Sequence, residues 1–185
     1  MCILRAIVLL FLICSIAHAG SVPTLTSPLQ GNFLSRYVTS SFGDDWNNTW
    51  WCSYIKKHTG IDVYAQVGEN VYAAYDGYVR RAKLDSTNGG YVSIDHGPAH
   101  TFNLVTTYWH ILPSVSENTW VVVGQKIGTI ADLGDDTHFH FSTYEGGYTN
   151  PTSYAGSLPQ VSCNGYPPFP SAFKNPTIYT YYNHN

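Results

Sequence analysis

Three groups of residues carry side chains that suit metal-assisted chemistry. His58 and Asp62 are four residues apart, and His138 and His140 are separated by one residue. On a β-strand, residues i and i+2 face the same side, so the second pair places two imidazoles about 7 Å apart on one face. Imidazole nitrogens and a carboxylate oxygen near one point are ligands that suit zinc. His110, at the end of an apolar β-branched run, is the fifth candidate.

Each group also has an ordinary structural explanation. A His-x-x-x-Asp spacing is common in surface pairs, and two histidines can line a half-solvated strand. A single histidine at the end of a run is often a hydrogen-bonded core or edge residue. Taken separately, the three groups leave these alternatives open.

The segments that must position these residues are short and β-like. They are rich in Val, Ile, Tyr, Thr and Trp, and Gly, Asn and Asp bound them. The turn Asn88-Gly89-Gly90 predicts a hairpin, and no segment has a sustained 3.6-residue apolar period. We therefore expect a mostly β fold, an antiparallel sheet or sandwich with few or no long helices. The predicted strands cover residues 37–41, 61–64, 71–74, 77–82, 91–95, 104–110, 120–123, 126–130 and 138–143.

Composition excludes two broad classes of protein. The 185 residues are 44% hydrophobic, 15% aromatic and only 11% charged, with a formal net charge of −3. Disordered chains are rich in charge and poor in aromatic residues, which is the opposite pattern. Nucleic-acid binding needs a basic surface that neutralises phosphates, and no basic run is present. We expect one folded domain that does not bind nucleic acid.

The first 19 residues have the pattern of a secretory signal peptide. Arg5 precedes the apolar stretch 6–16, and Ala17-His18-Ala19 is a small-x-small cleavage site. This stretch is shorter than the roughly 20 residues that span a bilayer. We expect a secreted or periplasmic protein, cleaved near Ala19, with no membrane span in the mature chain. Residues 20–36 are predicted to be an arm or linker, 37–154 the domain, and 155–185 an irregular Pro/Tyr-rich tail tied to it.

Export changes the number of cysteines, because Cys2 and Cys14 leave with the signal peptide. Cys52 and Cys163 remain, and an even number in an oxidising compartment predicts a disulfide between them. This bridge would close a loop of about 110 residues and contribute up to about 4–5 kcal/mol. Two unpaired thiols are the alternative.

Seven motifs in order give the chain a resemblance to the LytM/lysostaphin-type zinc metalloendopeptidases. They lie between about residues 38 and 145. The first resembles the family's Thr-Ser-x-Phe-Gly entry strand, the second its His-x-x-x-Asp zinc motif, and the last its His-Leu-His-Phe motif. The matching segments are residues 38–43 (Val-Thr-Ser-Ser-Phe-Gly), 58–62 (His-Thr-Gly-Ile-Asp), 71–79 (Val-Tyr-Ala-Ala-Tyr-Asp-Gly-Tyr-Val), 90–97 (Gly-Tyr-Val-Ser-Ile-Asp-His-Gly), 108–111 (Tyr-Trp-His-Ile), 123–128 (Val-Gly-Gln-Lys-Ile-Gly) and 138–141 (His-Phe-His-Phe).

The resemblance implies a role for each candidate residue. His58, Asp62 and His140 are the expected ligands of one Zn²⁺ per chain, and His110 and His138 are the expected catalytic histidines. Three protein ligands leave a fourth position for water, as a catalytic zinc site requires. The implied protein is a secreted monomeric endopeptidase with an open zinc groove that hydrolyses cross-link or stem peptides of peptidoglycan. Which of the two catalytic histidines is the general base is left open.

Two other functions stay open, and the sequence departs from the family pattern at two places. The chain could be a non-hydrolytic cell-wall-binding or hydrolase-activating module on the same fold, or a secreted lectin-like β domain. Ser142 stands where the family usually has Glu. Trp46, Trp50 and Trp51 lie in an insert and suit either core packing or a stacking surface for a glycan or peptide. His96 is expected to be structural.

Overall fold

The computed structural model describes residues 24–47, 55–97, 102–149, 152–154 and 171–184. Within these ranges the chain forms β-strands, turns and short 3₁₀ segments, and no α-helix. Among the described residues, no helix has the length and apolar character needed to cross a bilayer. The predicted fold class, mostly β with antiparallel sheets, is confirmed.

The strands follow one another at short intervals along the chain. In chain order they are β1 (Leu25–Gln30), β2 (Val38–Ser40), β3 (Asp45–Asn47), β4 (Ile55–Lys57), β5 (Gly60–Tyr64), β6 (Asn70–Tyr72), β7 (Gly77–Asp85), β8 (Gly89–Asp95), β9 (Val105–Trp109), β10 (Ile111–Pro113), β11 (Trp120–Val121), β12 (Lys126–Ile130), β13 (His138–Tyr144), β14 (Phe173–Lys174) and β15 (Tyr181–His184).

An eight-stranded antiparallel sheet is the centre of the fold. Its order is β11-β7-β8-β9-β13-β5-β2, and β14 also pairs with β13. A second sheet has the order β10-β12-β6, β3 pairs with β4, and β1 pairs with β15 in parallel. Because side chains alternate along a strand, the large sheet has two different faces.

The strand β13 shows how the sequence separates these two faces. Phe139 and Phe141 are fully buried in the hydrophobic core, together with Val63 of β5 and Ile127 of β12. His138 and His140, which alternate with these phenylalanines along the strand, face the opposite side of the sheet. The core therefore fixes the strand register, and the register in turn fixes which polar side chains meet on the other face.

The predicted strands correspond to observed ones with shifts of a few residues at their ends. The prediction for 126–130 has the bounds of β12, and 91–95 forms most of β8. The predicted strand 104–110 ends one residue early, at Trp109, because His110 has a positive φ of 64° and leaves the extended conformation. A hairpin joins β7 and β8 as predicted, but its turn is formed by residues 86–88, and Gly89 and Gly90 are already the first two residues of β8.

The segment predicted to be an arm, 20–36, contains regular structure. Residues 25–30 form β1, and Leu25, Leu29 and Phe33 are fully buried in the core. The reason is a period-two pattern that the Ser, Thr and Pro content obscures: Leu25, Ser27 and Leu29 all face inward. The pairing partner β15 lies in the tail predicted to be irregular and is far away in sequence, so no local signal indicates it.

Several predictions fall outside the described residues. These are the signal peptide 1–19, the disulfide between Cys52 and Cys163, and the placement of Trp50 and Trp51; for Trp46 only the backbone is described. They stay predictions, as do the domain boundaries at 37 and 154.

Candidate metal centre

Three side chains converge on one point at the polar face of the large sheet. The His58 Nε2 and Asp62 Oδ1 atoms are 3.0 Å apart, and His140 Nδ1 lies 2.8 Å from the former and 2.9 Å from the latter. All three residues are buried, with relative exposures of 0%, 3% and 2%. Asp62 on β5 is the direct cross-strand partner of His140 on β13, so strand pairing alone brings these two together.

A backbone hydrogen bond fixes the protonation of His58. Its Nδ1–H donates to the carbonyl oxygen of Ser41 at 2.8 Å, because a carbonyl can only accept. In a neutral ring the other nitrogen, Nε2, then carries a lone pair, and this atom faces Asp62 and His140. Metal-binding histidines are commonly oriented in this way by a partner on the second nitrogen.

Burial and neighbouring charges set the ionisation of Asp62 and His140. Burial alone would raise the pKa of Asp62, but hydrogen bonds and charge interactions with His140 and His58 hold that pKa far below its ordinary value. Burial lowers the pKa of His140 below its ordinary value, although Asp62 opposes this effect. At neutral pH Asp62 is therefore a carboxylate and His140 is a neutral imidazole, the protonation states that a metal ion requires of its ligands.

The donor set fits a single divalent cation. Two imidazole nitrogens and a carboxylate oxygen lie within 3.0 Å of one another, and at most one proton is available between them. An ion with Zn–N and Zn–O bonds of about 2.0–2.2 Å can touch all three atoms. Within the described residues, these three form the group of His, Cys, Asp and Glu side chains that could hold a metal ion.

His110 and His138 stand beside this group as a pair. Their ring centroids are 4.3 Å apart, and His138 Nε2 lies 3.6 Å from Asp62 Oδ2. His138 Nδ1–H donates to the Asp136 carbonyl at 2.6 Å, and His110 Nδ1–H donates to the Asn88 carbonyl at 3.1 Å. Both histidines therefore keep an Nε2 lone pair when neutral, so each can accept a proton.

The electrostatic environment favours a neutral His110. Burial is the main cause that lowers the pKa of His110 to about 4, and the adjacent rings of His138 and His140 contribute in the same direction. The Asn88 carbonyl and Asp62 oppose the shift without cancelling it. His110 is thus unprotonated at neutral pH.

His110 adopts a backbone conformation that residues with a side chain rarely use. Its φ of 64° lies in the left-handed region, which is strained for a residue with a side chain. Residues with such strained backbone conformations cluster at functional sites. The His110 carbonyl accepts a hydrogen bond from the Ala131 N–H at 2.9 Å. Contacts from Asn88 on one side and Ala131 on the other therefore hold this residue in place.

Aromatic residues flank the site, and the sequence analysis did not single them out. Trp109 is the cross-strand partner of His140, and its ring stacks on Tyr91 with a centroid separation of 4.2 Å. On the other flank, Tyr64 is the cross-strand partner of His138 and is 53% exposed. The signal that could have found Tyr64 is its position two residues after Asp62, which places both on one face of β5.

The structure also places the residues outside the five candidates. Ser142 is buried on the same face as His140, and its hydroxyl has no hydrogen-bond partner among the described residues. Both ring nitrogens of the buried His96 are hydrogen-bonded, to the Asp76 carbonyl and to Thr106 Oγ1. His96 is thus a structural residue, as expected.

The five candidate residues therefore meet in one place, although they come from distant parts of the chain. His58, Asp62 and His140 form the group that could hold a metal ion, and His110 and His138 lie beside it. Their order along the sequence and their geometry agree with the motif resemblance.

Comparisons with known proteins identify the family of the chain. The profile described as "Peptidase family M23" matches residues 56–151. The peptidoglycan DD-endopeptidase ShyC of Vibrio cholerae serotype O1 is 36% identical over 111 residues, which are 58% of this chain and 24% of ShyC. The chain thus covers about a quarter of the length of this curated relative.

Solved structures share the fold. A zinc-containing peptidase from Vibrio cholerae superposes with a TM-score of 0.50 at 24% identity, over 64% of this chain and 36% of the other. The catalytic domain of lysostaphin from Staphylococcus simulans gives a TM-score of 0.50 at 19% identity, over 65% of this chain and 89% of the other. Because the family profile covers more than half of the chain and includes all five candidate residues, the chain belongs to peptidase family M23.

Proposed function

We propose that this chain is a secreted, zinc-dependent endopeptidase that hydrolyses peptide bonds in peptidoglycan, in cross-links or stem peptides. The observation that carries the proposal is the geometry of five side chains. Three ligand atoms lie within 3.0 Å of one another, and two histidines with free Nε2 lone pairs stand beside them. The relative ShyC is named a peptidoglycan DD-endopeptidase, which supports this substrate class.

In the proposed mechanism His58, Asp62 and His140 hold one zinc ion. The ion would supply Lewis acidity, which lowers the pKa of a coordinated water and polarises a carbonyl. His138 Nε2 lies 3.6 Å from Asp62 Oδ2, and the His110 ring lies beside the His138 ring, so either imidazole can accept the proton that the attacking water loses. The same imidazoles return a proton to the leaving amine, so the peptide bond breaks with no net change in their protonation.

The backbone carbonyls of Asn88 and Asp136 have a defined part in this mechanism. Each holds the Nδ1–H of one catalytic histidine, and this contact keeps the Nε2 atom available as a base. The low pKa of His110 means that the base is unprotonated at neutral pH. The choice between His110 and His138 as the principal base is left to experiment, because both are anchored in the same way.

A non-hydrolytic module on the same fold is the alternative that the geometry disfavours. Such a module has no need for a complete ligand group or for two anchored histidines beside it. The chain has both.

We also propose that the mature protein is a monomer and that it contains the Cys52–Cys163 disulfide. Mass measurement with and without reductant will test the disulfide.

The decisive experiment combines metal analysis with hydrolysis. The purified mature protein is expected to bind one zinc ion and to cut muropeptide dimers, and a chelator is expected to stop the reaction. Asp62→Asn should lose both zinc and activity. Asp95→Asn is the matched control, because Asp95 is also a buried carboxylate on the large sheet but pairs with Arg80 instead. A zinc-free Asp62→Asn protein that still lysed cell walls would falsify the proposal.

A further inference from the structure

A row of side chains crosses three strands at the edge of the candidate site. Tyr64 of β5 pairs with His138 of β13 on one side. On the other side, the Tyr64 N–H donates to the carbonyl of Tyr37 at 2.9 Å, and Tyr37 directly precedes β2. Since directly opposed residues in an antiparallel sheet share a face, Tyr37, Tyr64 and His138 form a row at right angles to the strands.

The position of Tyr64 is close to the reacting centre in two directions. Along its strand it follows the metal-binding residue Asp62 by two positions, about 7 Å away on the same face. Across the sheet it is next to the catalytic candidate His138, at about 5 Å between Cα atoms. One substrate molecule can therefore contact the Tyr64 ring with one part and reach the metal centre with another.

The two tyrosines leave their rings available. Tyr64 is 53% exposed and Tyr37 is 78% exposed. Within the described part of the chain neither ring stacks on another aromatic ring, and neither hydroxyl has a hydrogen-bond partner. The aromatic residues on the opposite flank differ, because Trp109, Tyr91 and Tyr154 stack on one another and use their faces for packing.

The row also leads to an edge of the large sheet. Among the described residues β2 is the last strand of that sheet, so the row from His138 through Tyr64 to Tyr37 runs outward to its edge. The neighbouring cation, Arg36, forms an ion pair with Glu69, so its charge is already neutralised. The surface is thus aromatic and carries hydroxyls, and it is not dominated by an unpaired charge.

These observations favour a sugar as the occupant. A pyranose ring has a face of C–H groups and a rim of hydroxyls, and an exposed tyrosine presents a flat apolar ring with a hydroxyl at its edge. We propose that Tyr64 and Tyr37 form a saccharide subsite that binds the glycan strand of the peptidoglycan next to the peptide being cut. This inference rests on the proposed action on peptidoglycan and adds a second chemical component to its recognition.

The first test measures saccharide binding without hydrolysis. N-acetylglucosamine tetramer is titrated into the wild type, Tyr64→Ala, Tyr37→Ala and Tyr182→Ala, and the Kd is measured by calorimetry or NMR. Tyr182 is the matched control, since it is 66% exposed on β15, which is not part of the large sheet. Loss of one stacked ring is expected to raise the Kd about 2- to 10-fold. Tyr64→Phe, which keeps the ring, should retain most of the affinity.

The second test compares two substrates that share the same peptide. Cross-linked muropeptide with its glycan and the same peptide freed of glycan are cut by each variant. The ratio of kcat/KM with glycan to kcat/KM without it should fall about 2- to 10-fold in Tyr64→Ala and stay at the wild-type value in Tyr182→Ala.

The outcomes separate the subsite from the proposed activity. If the wild type cuts both substrates and Tyr64→Ala matches Tyr182→Ala in ratio and in Kd, the saccharide subsite is wrong and the peptidase activity stands. If the wild type cuts neither substrate, the proposed activity fails, and the titration alone decides the subsite. Wild-type binding that Tyr64→Ala weakens supports it, and absence of binding overturns it.

Discussion

Substitution of Gly89 by alanine is expected to disable the peptidase through His110 without touching the metal ligands. Gly89 is the first residue of β8, directly after the turn of the β7–β8 hairpin, and has a φ of +81°. A Cβ atom there would be 2.4 Å from the Ala131 Cβ and 3.5 Å from the carbonyl carbon of His110. Ordinary carbon–carbon contacts are about 3.5–4.0 Å, so hairpin and Ala131 must separate by roughly 1–1.5 Å.

This separation must displace His110, because the hairpin and Ala131 both form hydrogen bonds with His110. Asn88 in the hairpin accepts the His110 Nδ1–H at 3.1 Å, and the Ala131 N–H donates to the His110 carbonyl at 2.9 Å. A shift of 1 Å or more breaks at least one of these bonds. Misplacement of a catalytic group by about 1 Å costs on the order of 100-fold in rate, which corresponds to about 2.7 kcal/mol of barrier.

A matched control separates this effect from backbone strain. Gly68 has a φ of +78°, and nothing lies within 4 Å of a Cβ built there. Gly68→Ala therefore carries the same left-handed penalty of about 1–2 kcal/mol without a clash. The assay compares kcat and KM on cross-linked muropeptides, zinc content and thermal unfolding. Gly89→Ala should lose kcat about 100-fold with zinc retained. Equal kcat in the two folded variants would refute the anchoring of His110.

Three further predictions concern stability and the metal. The pKa of His110 falls from 6.5 to about 4 on folding, so the unfolded chain binds more protons between these values. The metal-free protein should therefore lose stability as the pH falls from about 6.5 to 4, and His110→Gln should flatten this slope in chemical unfolding curves. Tyr108→Phe should lower the free energy of unfolding by about 1–3 kcal/mol with zinc retained, because the buried Ala74 N–H loses its acceptor. Excess zinc should raise the Tm of the wild type but not of Asp62→Asn; an equal rise in both would place the metal elsewhere.

The residues of the candidate metal centre could be proposed from the sequence because each motif is local. Alternation along one strand brings His138 and His140 to the same face, and the spacing of His58 and Asp62 suggests a second pair of ligands. The structure brings all of these together with His110. Their contact depends on the register of β5 against β13 and of β13 against β9, which the sequence motifs imply only through the family resemblance.

The features that were not predicted depend on contacts distant in sequence. β1 pairs with β15, at the other end of the described chain, and a segment rich in Ser, Thr and Pro gives no local sign of this partner. The positive φ of His110 depends on Asn88 and Ala131, which belong to two other segments. A strand pattern through residue 110 is the natural local prediction, and only the tertiary contacts overrule it.

The five side chains of this centre are positioned in two different ways. Asp62 and His140 lie in the middle of paired strands, where register and core packing fix the positions of ligand atoms. His110 and His138 instead lie at strand ends, where backbone carbonyls of adjoining turns select the ring nitrogen that stays free. Turns can change without disturbing the sheet, so we expect the proposed proton transfer to vary independently of the proposed metal binding. Gly89→Ala tests this independence directly, since it should lower kcat while zinc stays bound.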